Sequence, residues 1–146
     1  KEVITKTAVF DTGTSYLIIP FNDLKNIVKK FMLFAINQKC SLKEYGQLVC
    51  MCKSNKDFPD LEFSIGNGKI KLKSQELIDY YEEEVYQCHF QIMTTLDKNF
   101  NIWILGDTLL RSLIIEFNMN ERKISYASKE ELLNINIDEL SSNNNT

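Results

Sequence analysis

The chain has 146 residues, 44% hydrophobic and 25% charged, with a formal net charge of −3 and a pI near 5.2. This is the composition of a soluble globular domain long enough to bury a real core. The mild acidity gives no reason to expect nucleic acid or an anionic membrane as partner, and no apolar run approaches the ~20 residues that cross a bilayer.

Residues 2–10 are rich in Val, Ile, Thr and Phe and predict a strand. The chain lacks a signal peptide and an initial Met, and it opens mid-strand at "KEVITKTAVF". It therefore reads as a piece of a longer precursor. "SYLIIP" predicts a second strand, stopped by Pro20. In "FNDLKNIVKKFMLFAI", Leu24, Ile27, Val28, Phe31 and Ala35 fall at helical spacing. That stripe is a helix face packed on a core, with Asn22 as the N-cap.

"LEFSI" and "KIKLK" alternate on either side of Gly66-Asn67-Gly68, which predicts a hairpin, since Gly and Asn tolerate positive φ. "SQELIDYYEEE" fits a short helix or a loop equally. "VYQCHFQIM" and "NIWIL" read as strands, "DTLLRSL" as a short helix, and "IIEFNMNERKISYA" as a closing hairpin. Beyond Ser128 the chain turns polar and ends in "SSNNNT". "SKEELL" there fits a capped helical turn, and the last residues fit a disordered tail. Many strands and one clear helix predict a mostly-β domain with a few short helices. Ile, Lys and Asn are over-represented, a bias expected of an AT-rich genome.

Cys40, Cys50, Cys52 and Cys88 allow three disulfide pairings. An alternative joins Cys50, Cys52, Cys88 and His89 in a metal site, without the usual ligand spacings of zinc. His89 alone fits a packed or surface residue.

Chemistry enters at "AVFDTGTSY", residues 8–16. A catalytic carboxylate must be held in one orientation while keeping an oxygen for substrate. Asp11 is followed by the short donors Thr12, Thr14 and Ser15, and Gly13 allows a tight turn and close backbone approach. Val9 and Phe10, both apolar, would anchor the loop in a core. The bland alternative is an Asx-turn, in which Asp11 caps its own backbone. Further on, Ile104-Leu105-Gly106 is what a strand needs to pass close to such a loop, with Gly106 giving clearance. A buried strand ending at a glycine turn would look the same.

Taken together, Asp11-Thr12-Gly13-Thr14-Ser15, the strand Trp103–Asp107, Arg111 four residues later, the hairpin "EFNMNERKISYA" and "CKSNKDFPDLEFSI" resemble the pepsin-like aspartic proteases. The resemblance is to the carboxyl-terminal lobe and covers residues 3–127. The composition bias and the Lys/Asn-rich insertions look most like plasmepsins of malaria parasites. The implied layout is a lobe over 1–128 and a polar tail over 129–146.

The resemblance implies that Asp11 is the second catalytic aspartate of an endopeptidase made as a zymogen. The first aspartate would lie on an amino-terminal lobe, the implied partner. Asp107-Thr108 is no substitute, because Leu109 follows where glycine is required; Asp107 matches a structural and subsite aspartate. Thr12 would hold the two catalytic loops together, and Thr14 would hydrogen-bond Asp11. Val9 and Ile104 match positions lining the pocket on the leaving-group side, so an apolar substrate residue is expected there. Ile104 fits the core equally. The disulfides implied are Cys52–Cys88 and Cys40–Cys50, pointing to an oxidising, secretory-type compartment. Neither cofactor nor metal is implied. Two rivals stand beside this reading. One is a homodimeric retropepsin-like protease, which has shorter chains without paired cysteines. The other is a pepsin-like fold kept as a non-catalytic binding module.

Overall fold

The structure is a computed structural model that describes residues 6–129. It divides into two units, Lys1–Leu109 and Leu110–Thr146.

In chain order the first unit contains β1 (Thr7–Phe10), β2 (Leu17–Ile18), α1 (Phe21–Met32), β3 (Cys40–Leu42) and β4 (Gln47–Met51). There follow β5 (Leu61–Ile65), β6 (Gly68–Leu72), α2 (Ser74–Leu77), β7 (Ile78–Glu82), β8 (Gln87–Met93) and β9 (Ile102–Leu105). The short helix α3 (Asp107–Leu110) closes the series. The fold is mostly β, as the sequence predicts.

Seven strands form the main sheet, in the order β1-β9-β2-β8-β4-β3, with β7 also paired to β8. β1 and β2 are consecutive in sequence but not neighbours, because β9 runs between them. It is parallel to β1 and antiparallel to β2. The loop from β1 to β2 must therefore pass the end of β9.

β8 is the hub. One edge carries β4. On the other, β7 pairs opposite residues 87–90 and β2 pairs opposite Ile92 and Met93. A strand has only two edges, so β7 and β2 meet end to end opposite Gln91.

The core contains Leu17, Ile19, Leu24, Phe31, Leu48, Leu72, Leu77, Phe90 and Ile92, all essentially inaccessible. Phe31, Phe58 and Phe90 form its aromatic centre, with ring centroids 5.0–5.4 Å apart. Helix α1 buries Leu24 and Phe31 from the expected stripe, while Ile27 and Val28 are half-buried.

Asn22 is not the N-cap. Pro20 occupies that position without a side-chain hydrogen bond, and its carbonyl accepts from the Asp23 and Leu24 amides. Proline holds φ in a range suited to the turn entering a helix, so α1 starts one residue earlier than Asn22. Asp23, in the first turn, accepts from Trp103 Nε1 at 2.8 Å and pairs with Lys6 Nζ at 3.0 Å. These bonds tie α1 to β9 and to the approach to β1.

The β5–β6 hairpin is as predicted, with Ile65 opposite Gly68 and Gly66 at φ +58°. Phe63 on β5 meets Trp103 on β9 edge to face at 5.6 Å.

"SQELIDYYEEE" is neither helix alone nor loop: one helical turn, α2, leads into strand β7. Ile78, Tyr80 and Tyr81 favour an extended chain, and β8 supplies the pairing edge. The strand expected at 2–10 is described only from Lys6, with β1 over Thr7–Phe10. "SYLIIP" narrows to the two residues of β2.

Strands β3 and β4 form a further hairpin, with Cys40 opposite Cys50. Disulfides join Cys40 to Cys50 and Cys52 to Cys88. No cysteine is free, so the grouping with His89 has no thiolate to offer a metal. His89 is a packed residue, 1% exposed and stacked under Tyr80 at 4.0 Å.

In the second unit, β10 (Leu113–Asn118) and β11 (Lys123–Ser128) form the expected closing hairpin, from Leu113 opposite Ser128 to Asn118 opposite Lys123. The turn is fixed by the Glu121 amide, which donates to Asn118 Oδ1 at 2.9 Å. The polar tail beyond Lys129, including most of the "SKEELL" turn, lies outside the described residues. No helix among the described residues is long and apolar enough to cross a membrane.

Candidate active site

The carboxylate loop leaves β1 at Phe10 and enters β2 at Leu17. Its first residue is still held by the sheet, since the Asp11 amide donates to the Leu105 carbonyl at 3.1 Å. The Thr14 amide folds back to the Asp11 carbonyl at 3.3 Å. Both carboxylate oxygens of Asp11 are engaged: Thr14 Oγ1 donates to Oδ2 at 2.5 Å and the Gly13 amide to Oδ1 at 2.9 Å. The second bond is the Asx-turn of the bland reading, and the first adds a side-chain donor that an Asx-turn does not need. A methyl group at Gly13 would sit 3.3 Å from Asp11 Oδ1, so glycine keeps that side of the carboxylate open.

Donors favour the charged form of a carboxylate. The Thr14 hydroxyl, and after it the Gly13 amide, holds Asp11 below the usual carboxylate range, with slight opposition from desolvation. The arrangement is a fixed anion at a half-exposed position, with lone pairs left to accept from a ligand.

The far side of the loop is pinned by the turn after β9. Asp107 donates its amide to the Thr14 carbonyl at 2.7 Å, and Thr108 its amide to the Ser15 carbonyl at 3.0 Å. Thr108 Oγ1 also lies 2.9 Å from the Ser15 carbonyl. These bonds require near contact between two backbones. A Cβ at Gly106 would run into the carbonyl oxygens of Thr14 and Tyr16, so no side chain fits there.

The other expected site residues distribute as follows. Thr12 is exposed at the loop tip. Ser15 is exposed and meets Thr108 through its main-chain carbonyl. Val9 and Ile104 are direct register partners on β1 and β9, and such partners share a sheet face. Val9 is 47% exposed and Phe10 only half-buried, so they do not anchor the loop in a core; with Ile104 half-buried, Val9 leaves an apolar strip beside Asp11.

Sequence reasoning passed over Thr108, Tyr16, Asp79 and Gln91. Tyr16, next after the loop, donates its hydroxyl to Asp79 Oδ2 at 2.6 Å. Gln91 Nε2 lies 3.5 Å from Asp79 Oδ1, and Gln91 Oε1 lies 3.0 Å from Thr108 Oγ1. Asp79 pushes the Tyr16 hydroxyl up to about 12, first by this hydrogen bond and then, with burial, by its charge. The one available signal was an acidic residue amid β-forming Ile and Tyr in "LIDYY".

Comparison with known proteins bears on the whole described chain. The family model for eukaryotic aspartyl proteases matches residues 3–129. Pepsin A of Suncus murinus is 29% identical over 120 residues, covering 82% of this chain and 29% of that protein. Gastricsin of Rattus norvegicus is 27% identical over 120 residues, with the same coverage of each. Renin-2 of Mus musculus is 25% identical over 122 residues. The chain thus spans 29% of the length of these relatives. A carboxylate held by its own loop, a glycine-tight crossing beside it and a family match over the whole described chain agree, and the chain belongs to the eukaryotic aspartyl protease family.

Proposed function

We propose that this chain is the carboxyl-terminal lobe of a pepsin-like aspartic endopeptidase and supplies its second catalytic aspartate, Asp11. The observation that carries the reading is the Asp11 carboxylate held by Thr14 Oγ1 and the Gly13 amide, in a loop locked against Gly106. The chain contains a single Asp-Thr-Gly, so the first carboxylate comes from an amino-terminal lobe. Its span of 29% of the relatives fits one part of a larger enzyme. Residues 1–128 form the lobe and 129–146 a polar tail. The composition bias favours a plasmepsin-like enzyme. Two disulfides favour folding in an oxidising secretory compartment.

Two carboxylates sharing one site do not both ionise, so the pair holds one proton. The ionised member takes a proton from a bound water, and the protonated member donates to the scissile carbonyl. Water attacks, and the tetrahedral intermediate collapses without a covalent enzyme adduct. The proton belongs to the pair rather than to Asp11. Thr14 and Gly13 orient Asp11, Thr12 reaches toward the partner loop, and Ser15 fastens the loop's far end. The exposed apolar strip of Val9 and Ile104 fits a substrate side chain on the leaving-group side.

The test is the two-lobed protein, this chain with its amino-terminal lobe, assayed for pepstatin-sensitive peptide hydrolysis. Asp11→Ala should lower kcat/KM by roughly 10²–10⁴ or more, with the melting temperature nearly unchanged. Near-normal turnover in Asp11→Ala would make Asp11 a turn residue and overturn the protease reading of this chain, whereas no hydrolysis by the two-lobed wild type would leave a binding module. Activity of this chain alone, rising with the square of its concentration, would favour a homodimer.

A further inference from the structure

We propose that Asp79 and Tyr16 form a clasp that positions the exit of the Asp11 loop, so that Asp79 is a positioning residue for catalysis from 68 positions along the chain (79 − 11). The inference rests on the protease reading of Asp11.

The entry of the loop is fixed by the sheet through the Asp11 amide and the β1–β9 pairing. The exit enters β2, which is only two residues long but pairs with β9 on one edge and β8 on the other, and Tyr16 stands one residue ahead of that pairing. Opposite Gln91, β7 and β2 abut end to end, and the ladder on that edge of β8 is interrupted. The clasp bridges this break.

Asp79 lies where the β7–β8 register shifts between Ile78 and Tyr80, so it is the extra residue of a bulge. Bulges re-aim side chains. This one sends a carboxylate across the break to Tyr16 at 2.6 Å, a short charge-assisted bond. The other oxygen of Asp79 faces Gln91 Nε2 at 3.5 Å. Gln91 Oε1 meets Thr108 Oγ1, which also touches the Ser15 carbonyl. The Asp79 carboxylate thus meets the loop exit directly at Tyr16, with Gln91 against its other oxygen. Thr108 Oγ1 has a single proton, which goes either to Gln91 Oε1 or to the Ser15 carbonyl.

Tyr16→Phe keeps the ring and removes the donor. Asp79→Ala removes the acceptor, and Asp79→Asn keeps an acceptor for Tyr16. In the two-lobed protein, Tyr16→Phe and Asp79→Ala should each lower kcat roughly three- to tenfold, as expected for the loss of one hydrogen bond. KM should stay within about twofold, because the apolar strip is untouched. The double variant should be no worse than either single one, and Asp79→Asn should recover most of kcat. In this chain by itself, ultraviolet titration should show a late-ionising phenol that Asp79→Ala moves to lower pH. An active wild type whose kcat survives Tyr16→Phe, or additive losses in the double variant, would overturn the clasp alone. A wild type that Asp11→Ala leaves unchanged would overturn the protease reading, and the catalytic role of the clasp with it.

Discussion

The two ends of the main sheet are held in different ways. Around Cys50, strands β3, β4 and β8 are cross-linked by two disulfides, and Leu48, Cys50, Cys52, Cys88 and Phe90 are wholly inaccessible. Around Asp11, strand β1 is largely open to solvent and β9 is half-buried, and the loop is held by hydrogen bonds to carbonyls and to one carboxylate. Burial and covalent links set stability without fixing a reactive group. Hydrogen bonds of defined direction fix a reactive group and add little net stability each. A substitution at one end should therefore register mainly in stability, and at the other mainly in chemistry or titration.

Gly106 is where the two kinds of constraint meet, and it should give the largest stability effect at the open end. The Cβ in Gly106→Ala collides with two backbone oxygens rather than with a movable side chain. Either β9 or the Asp11 loop must shift, and the bonds from Asp107 and Thr108 cannot then all survive. A loss of more than about 3 kcal/mol is expected in denaturant unfolding, together with lost peptide hydrolysis in the two-lobed protein. A variant of normal stability would mean that the crossing is looser than the contact distances allow.

The cross-linked end should respond only in stability. In the chain-entropy account, removing Cys52–Cys88, which spans 36 residues, costs about 4 kcal/mol. Removing Cys40–Cys50, which spans 10, costs about 3 kcal/mol. Paired Cys→Ala variants should unfold in that order in urea, while Asp11 keeps its titration. If the shorter loop proved the more important, native packing of the β3–β4 hairpin would outweigh chain entropy.

These contrasts follow what the sequence made legible. The Asp11 loop was readable because its partners lie within three residues, at Gly13 and Thr14. The β5–β6 hairpin was readable because a glycine turn and strict alternation coincide. Strand β4 was not, because it is buried on both faces and shows no alternation. Strand β7 was hidden by its acidic residues, which sit on an exposed stretch. The Asn22 cap failed because proline chemistry at position 20 took precedence. Tyr16 and Asp79 are 63 residues apart, and no local pattern could join them.

His89 gives a smaller effect at the cross-linked end. Both ring nitrogens are buried without a hydrogen-bond partner, and Glu82 Oε2 comes no nearer than 3.4 Å to Nε2. Burial, and then the charge of Lys43, holds the imidazole below its ordinary value of 6.5, with Glu82 and Asp79 opposing. The unfolded chain therefore binds a proton below about pH 6.5 that the folded chain takes up only at lower pH. Stability present above that pH is lost as the pH falls toward the lowered folded value. His89→Phe should flatten this part of the profile in urea unfolding between pH 7 and 5. An unchanged profile would assign the acid sensitivity to carboxylates.

The smallest effect, and the sharpest on the open end, concerns Thr14. Its hydroxyl is the first cause of the lowered Asp11 value, ahead of the Gly13 amide. Thr14→Val keeps the side-chain shape and removes the donor, while the Gly13 amide remains. The Asp11 titration, followed by carbon-detected NMR of the carboxyl, should move up toward the ordinary 3.8 without reaching it. A depressed carboxylate contributes stability above its unfolded value and loses it as pH falls through the folded one. The acid limb of the stability curve should therefore flatten slightly in Thr14→Val, while stability near neutral pH barely changes. In the two-lobed protein the same variant should cost less activity than Asp11→Ala, because it disturbs the orientation of a carboxylate that is still present. A titration that stayed put in Thr14→Val would assign the anchoring to the Gly13 amide alone. The open end would then be held entirely by backbone, and Thr14 would be there for its shape.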